Sequence, residues 1–216
     1  MAQKSQQAYL SVATADSATK TITGVTNANP GVVSSTSHGL ANGSVGVLSG
    51  IVGMTQLNGR AAVVANQATS TFELKGLNTL AAQGYGTYSS GGIWTPKTMT
   101  EVGEVRGITS AFDGEAQDID VTHLRSTGKE YLTGLPEFGN VSLSLWLPST
   151  ADAGQTRLRN LRETQTAEAF TITLASGLVA AFVGLVKSFA LTGIEVDGAV
   201  QASCNIKVSN QPAFFA

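Results

Sequence analysis

The sequence predicts a mainly β protein: a β-sandwich or barrel with one flanking α-helix, and a small β-barrel-like domain inserted near the N-terminus. Three observations favour this class. Short β-branched runs alternate with Gly, Asn and Asp turn signals along most of the 216 residues. A single segment has convincing helical spacing. Between residues 19 and 93 the composition shifts to Gly, Asn, Ser and Thr with few charges.

This shift predicts three parts: an N-terminal arm or first strand over 1–18, the inserted domain over 19–93, and a core domain over 94–216. Within the inserted domain, Asn42-Gly43 and Asn58-Gly59 are pairs that tolerate tight hairpin turns. The segment from Gly84 to Gly92 is expected to be a flexible exit. The predicted strands of this domain are Gly31–Ser35, Val45–Leu48, Ala61–Ala65 and Thr71–Leu74.

The core domain is expected to begin with a strand over Thr98–Ile108. Two further strands flank a long loop, 124–137, and a connection of that length is uncommon unless it is functional. One helix is expected over Ala151–Thr164, with Ser149 and Thr150 as candidate N-caps. The tail then places Phe214 and Phe215 beyond a proline, with no strand expected to bury them. The remaining predicted strands are Asp118–Thr122, Val141–Leu147, Phe170–Leu174, Ala180–Leu191 and Val200–Val208.

Composition argues against several functions. Charged residues make up 13% of the chain, against roughly 25% in typical domains, so burial in an assembly is plausible. The first 97 residues carry a net charge of +3 and the rest −5, without the basic stripe that binds nucleic acid. The N-terminus has no signal-peptide pattern. The apolar run from Gly177 to Leu191 is too short to span a bilayer, so no membrane association is expected.

The residues for catalysis are also sparse. His38 and His123 are the two histidines, and no G-x-S-x-G nucleophile elbow accompanies them. Cys204 lies on the apolar side of its strand, which favours packing over reactivity; as the single cysteine it permits no intrachain disulfide, as in a reducing cytosol. Asp118 and Asp120 lack a third ligand for a metal. We therefore expect no enzyme, no metal and no cofactor.

The order of motifs in the core resembles the major tail tube proteins of long, flexible-tailed (siphovirus-like) bacteriophages. An Ile-Asp-Val-Thr strand leads into a long loop that ends Gly-Leu-Pro-Glu-Phe-Gly. A Val-Ser-Leu-Ser-Leu strand, one helix, a Phe-x-Ile-x-Leu strand and a closing strand before a Pro/Phe tail follow. The resemblance covers 94–216, and residues 1–18 resemble the first strand of that family.

This resemblance implies a structural virion protein located in the phage tail and assembled in the host bacterial cytoplasm. It implies hexameric rings that stack into a tube, with the tape-measure protein inside and tail-tip and terminator proteins as further partners. DNA passes through such a tube without specific binding. The tube of a contractile injection machine shares this fold and stays open as an alternative.

The inserted domain resembles a small β-module that recurs in phage virion proteins and is similar to a β-domain of ubiquitin-activating enzymes. The matching motifs are His-Gly-Leu, Leu-Ser-Gly, Gly-Met and Leu-Asn-Gly, which begin at residues 38, 48, 53 and 57. This likeness implies shape only. The module is expected outside the tube, as decoration.

Two sets of site residues follow for a tube subunit. Contacts between subunits and rings are expected from the long loop and the tail: Arg125, Lys129, Glu130, Tyr131, Leu132, Leu135, Pro136, Phe214 and Phe215. The lumen is expected to be lined by Asp118, Asp120, Ser142 and Ser144, on the premise that Ile119 and Val121 face the core.

The alternative function is a tail-tip or decoration protein whose inserted domain binds a host-surface glycan. Tyr85, Tyr88 and Trp94 could stack on sugars, although aromatic residues of a small domain more often belong to its core.

Overall fold

The computed structural model describes residues 7–195 and 198–216, and the first six residues of the predicted N-terminal arm lie outside this range. The strands in chain order are β1 (Tyr9–Asp16), β2 (Lys20–Thr21), β3 (Gly24–Val25), β4 (Val32–Ser34), β5 (Val45–Val52), β6 (Ala61–Ala65), β7 (Thr71–Leu74), β8 (Ser90–Glu101), β9 (Val105–Ala111), β10 (Ala116–Asp120), β11 (Tyr131–Pro136), β12 (Asn140–Trp146), β13 (Glu168–Thr173), β14 (Val179–Thr192), β15 (Gln201–Val208) and β16 (Ala213–Phe215). One α-helix, α1, spans Ala153–Thr164.

The predicted fold class is confirmed. In the described part of the chain, a 14-stranded antiparallel sheet curls through the order β3-β4-β7-β6-β5-β8-β1-β13-β14-β15-β12-β9, with β2 and β16 attached at its side. Strands β10 and β11 form a separate two-stranded sheet. The helix packs on the long sheet, against β14 and β1.

The apolar residues divide into three clusters. The first lies under α1 and includes Leu158, Phe170 and Phe182. The second fills the inserted region around Phe72 and Trp94. The third joins them, because its members come from both regions: Ala13, Val45, Ala61, Val63, Ala169, Ala181, Val183 and Phe215. The inserted region therefore shares buried surface with the core.

Strand β8 continues through the predicted boundary between residues 93 and 94. Its first part pairs with β5, from Ser90 to Lys97, and its last part pairs with β1, from Lys97 to Glu101. At the crossing, the Lys97 ammonium contacts Asp16 at 2.6 Å and Glu168 at 2.7 Å. Burial acts to lower the pKa of Lys97, but its hydrogen bonds to Asp16 and Glu168 outweigh burial and raise it.

The helix begins later than predicted. Its N-cap is Asp152, whose carboxylate accepts a hydrogen bond from the Gln155 backbone N–H at 2.7 Å, so Ser149 and Thr150 are not the caps. The same carboxylate also accepts from the Gly103 N–H at 3.2 Å. Because one aspartate satisfies a helix donor and a turn donor, it is the better cap at this position. No helix in the described part of the chain is long and apolar enough to cross a membrane.

Three local expectations were wrong. The predicted strand Thr98–Ile108 is two strands, because a turn around Glu104, with a positive φ of 57°, separates β8 from β9. The supposed flexible exit is ordered around Tyr85, which is buried, and Tyr88. The tail does form a strand: β16 pairs with β14, and Phe215 is buried there.

Candidate assembly site

The hairpin of β10 and β11 forms a sheet of its own. Strand β10 overlaps the predicted strand Asp118–Thr122, and β11 occupies the last part of the predicted loop, 124–137. Ile119 pairs with Leu132, and Asp120 pairs with Tyr131. No residue of either strand is buried, whereas the core strands β12 and β15 bury alternate residues. Ile119 is 51% exposed, Leu132 59% and Leu135 89%. This hairpin therefore presents apolar side chains to solvent in the single chain.

Two glycines allow the hairpin to leave the main sheet. A Cβ on Gly114 would lie 2.1 Å from the Glu137 carbonyl oxygen, and one on Gly139 would lie 2.2 Å from the Gly114 nitrogen. The two backbone segments thus pass in direct contact. Beside them, the Asp113 carboxylate accepts from the Asn140 N–H at 2.7 Å, and this hydrogen bond lowers the pKa of Asp113.

The tip of the hairpin carries its charges. Lys129 lies 3.9 Å from the Asp120 carboxylate and 5.9 Å from the centre of the Tyr131 ring. The Asp120 carboxylate accepts from the Thr122 N–H at 2.9 Å, and hydrogen bonds from Thr122 lower the pKa of Asp120. The predicted contact residues Arg125, Glu130 and Pro136 are exposed on the same hairpin.

The premise behind the predicted lumen was wrong for Asp118 and Asp120. Ile119 and Val121 do not face the core, since they are 51% and 39% exposed. Strand β10 is not adjacent to β12 either, because β9 and β15 occupy the two edges of β12. The structure therefore separates the two aspartates from Ser142 and Ser144.

Ser142 and Ser144 do lie on the polar side of β12. The apolar residues that alternate with them point to the other side and are buried. The Ser142 hydroxyl accepts from the Asn205 side chain at 3.0 Å. On β15, Ser203 and Gln201 pair with Ser144 and Trp146. The face of this sheet opposite the core thus carries hydroxyl and amide groups, together with the Trp146 ring and the Arg106 guanidinium that lies 5.2 Å from its centre.

A strand edge that has no partner among the described residues adjoins this face. Strand β9 pairs with β12 on one side and ends the order of the described sheet. Beside it lies a groove of about 710 Å³ with an apolar lining that includes Ile108, Phe112, Leu178 and Phe214. Phe214 is 50% exposed and packs edge-on against Phe112, whereas Phe215 already packs within its own chain.

The candidate catalytic side chains make local contacts. The His38 ring accepts from the Leu40 N–H at 3.0 Å and lies 3.2 Å from the Thr71 carbonyl oxygen. His123 contacts the Ser126 hydroxyl at 2.7 Å. Burial raises the pKa of Cys204 to about 12. Among the described residues, no three His, Cys, Asp or Glu side chains converge on a metal position.

Two family models match the sequence. One matches residues 84–214, more than half of the chain, and places it among the structural proteins of phage tails. This model is that of the lambda phage tail tube protein, TTP, and the chain belongs to that family. The other, the ubiquitin-activating enzyme E1 FCCH domain, matches residues 28–97. The two matches overlap over residues 84–97, which include the first part of β8.

No curated protein matches the chain. Among solved structures, it is similar to one chain of "Cryo-EM structure of the anti-feeding prophage (AFP) baseplate, 6-fold symmetrised", at 7% identity and a TM-score of 0.38. That match covers 55% of this chain and 85% of the other.

Sequence reasoning missed two features of this site. It placed the apolar anchors Tyr131, Leu132 and Leu135 in a loop, whereas they lie on strand β11. Their positions do not alternate with a period of two, so the local pattern does not indicate a strand. Sequence reasoning also missed the unpaired edge of β9 in the described sheet, because the order of strands in a sheet cannot be read from the local sequence pattern.

Proposed function

We propose that this protein is the tail tube subunit of a long, flexible-tailed phage. Six copies would form a ring, and stacked rings would hold the tape-measure protein and later conduct DNA. Membership of the tail tube family supports the proposal. The observation that carries it is the β10–β11 hairpin, whose apolar side chains have no cover within the chain. A protein that worked as a monomer would gain nothing from that exposure.

The hairpin would connect successive rings. Ile119 and Leu132 pair on one face, and together with Leu135 they offer an apolar anchor for a neighbouring subunit. Tyr131 lies on the other face. The charged groups of Arg125, Lys129 and Glu130 surround these anchors at the tip, as polar residues surround the centre of a typical interface. Pro136 at the base limits the movement of the hairpin.

Contacts within a ring would use the free edge of β9. An unpaired strand edge offers a row of backbone donors and acceptors to another strand, and the adjoining groove accepts apolar side chains from the same partner. Phe214, half exposed at that groove, is the residue of the tail that remains available for such a contact.

The polar face of β12 and β15 would line the lumen. Ser142, Ser144 and Asn205 carry no charge, so they would not hold phosphates. Lys207 on the same strand as Asn205 is paired with Glu137 at 2.6 Å, which offsets its charge. Arg106 of β9 also lies on this face, where it donates to the Gln201 side chain at 2.9 Å and would be a cation without a carboxylate partner among the described residues. Asp118 and Asp120, on the hairpin, would lie near the junction between rings instead.

The proposal is tested by electron microscopy of the purified wild-type chain and of a Tyr131→Asp/Leu132→Asp variant. We expect tubes from the wild type and folded monomers from the variant, because charges on the anchors disfavour burial. The matched control is Val52→Asp, which changes a β5 residue that is 53% exposed, and it should still form tubes. Normal tubes from the hairpin variant would refute the role of the hairpin, and a wild type that stays monomeric at high concentration would refute the tube.

A tail-tip or decoration role, with glycan binding by the inserted region, is the second candidate. Two of the residues first considered for stacking on sugars offer little support, since Trp94 is fully buried and Tyr85 nearly so. The third, Tyr88, is half-buried, and its hydroxyl donates to the Gly91 carbonyl oxygen at 3.0 Å. Deletion of residues 19–93 distinguishes the two functions. If the protein is a tube subunit, the shortened chain should still form tubes; if it is a decoration protein, the shortened chain should lose its binding activity. That deletion would also uncover Ala13, Val183 and Phe215, so point variants of the inserted region are the cleaner test.

A further inference from the structure

Arg60 is a buried cation without a carboxylate partner. Its side chain belongs to a residue that is 6% exposed, and none of the ion pairs among the described residues includes it. The other buried charged residue differs, because Glu168 contacts both Lys97 and Arg157. A buried charge without a counter-ion is costly, so this arginine requires an explanation beyond packing.

The hydrogen bonds of Arg60 are incomplete. Its Nη1 donates to the Tyr85 hydroxyl, whereas its Nε is buried and has no partner. Burial lowers the pKa of Arg60 against the opposing effect of Tyr85. A guanidinium has five donors, and a carboxylate is the acceptor that matches two of them at once.

Arg60 and Tyr85 line a cavity of about 290 Å³. The C-terminal tail forms the opposite side, fixed there by the Asn210 side chain, which donates to the Gly59 carbonyl oxygen at 2.8 Å. Gly76 allows the tail to approach, because a Cβ there would lie 2.5 Å from the Phe214 carbonyl oxygen. The cavity therefore exists only where the inserted region and the tail meet.

The remaining lining indicates the kind of ligand. Three side-chain amides, those of Asn78, Gln83 and Gln211, offer donors and acceptors for hydroxyl groups, and Phe214 offers an apolar edge. Of the lining residues, Arg60 is the single charged one, which suits one negative charge better than the two of a phosphate monoester. The volume suits a single ring and not an extended chain.

We propose that this cavity binds a sugar acid, with Arg60 receiving the carboxylate and the amides of Asn78, Gln83 and Gln211 receiving hydroxyl groups. The inference does not depend on tube assembly, because the cavity is complete within one chain.

The test is a titration of the full, unassembled chain with methyl β-D-glucuronide, with the neutral methyl β-D-glucoside and with inorganic phosphate, followed by calorimetry or ligand-observed NMR. We expect the glucuronide to bind at least about tenfold more tightly than the glucoside, since a hydrogen-bonded ion pair in a partly buried site is worth that much. Arg60→Gln should weaken glucuronide binding by about tenfold or more, while Arg162→Gln, at an exposed arginine of α1, should leave it unchanged.

Because Arg60→Gln could also impair folding, Gln83→Ala and Gln211→Ala provide a second arm. Both residues are exposed, so these variants should fold, and each should weaken glucuronide binding about threefold or more. The proposal is overturned if neither sugar binds saturably, if both bind equally, if phosphate binds more tightly than the glucuronide, or if folded Gln83 and Gln211 variants bind as the wild type does.

Discussion

The inserted region and the β10–β11 hairpin are both additions to the core sheet, but they differ in how far their apolar residues are buried. The inserted region buries Phe72, Leu57 and Trp94 completely and shares a further cluster with the core. The hairpin buries none of its strand residues. The inserted region therefore covers its apolar residues within one chain, whereas the hairpin leaves its own exposed. The proposed assembly through the hairpin would account for this difference.

The largest expected change in stability comes from the buried cluster of the inserted region. Trp94→Ala should lower the free energy of unfolding by about 3–5 kcal/mol, because it removes a large, fully buried ring. Ile93, the preceding residue of β8, is 39% exposed, and Ile93→Ala should cost less than about 1 kcal/mol. Urea denaturation of both variants gives the comparison. Equal losses would show that β8 is not buried on one face as described.

The next effect tests how firmly the inserted region is joined to the core. Glu168→Gln should cost about 3 kcal/mol, because Lys97 and Arg157 would both lose a buried partner. Glu163→Gln, at an exposed helix position, is the matched control and should be close to neutral. Thermal unfolding followed by circular dichroism checks both. A neutral Glu168→Gln would mean that this cluster does not hold β8 against α1 and β13.

A smaller effect concerns pH and the hairpin. The pKa values of Asp113 and Asp120 are lowered in the folded chain. Their stabilisation is therefore present above the ordinary aspartate pKa of about 3.9 and is lost as the pH falls through the lower folded values. The amide protons of Asn140 and Thr122, which donate to these carboxylates, should shift in NMR spectra with midpoints below about 3.9.

The matched variants Asp113→Asn and Asp120→Asn should each remove the transition from its own partner amide only. A midpoint at or above the ordinary aspartate value would contradict the described hydrogen bonds, since a carboxylate that accepts a hydrogen bond holds its proton less tightly.

The parts of the fold that follow from local pattern were predictable. Strands β6 and β7 have the predicted bounds, and the strict alternation of Val141, Leu143 and Leu145 placed β12 correctly. Periodicity reports which side of a strand is apolar, and that information is local. The helix was also found, although its cap was assigned two or three residues too early, at Thr150 or Ser149 instead of Asp152, because Ser, Thr and Asp are all good caps.

Pairing between distant strands could not be predicted in the same way. The order of Asp118, the loop and Ser142 along the chain suggested neighbouring strands, but Gly114 and Gly139 bring the backbone together and let the hairpin separate. The two lumen candidates of β10 and the two of β12 thus belong to different sheets. The Arg60 cavity was equally hidden, since its walls come from residues 60, 85 and 211.

The most direct measurement is hydrogen exchange, followed by mass spectrometry, on the free chain and on its assembled form. We expect the amides of residues 116–136 to exchange rapidly in the free chain and to become strongly protected on assembly, while those of 61–74 in the inserted region change little. Unchanged exchange in the hairpin, with new protection in the inserted region instead, would contradict the claim that the hairpin is the assembling part.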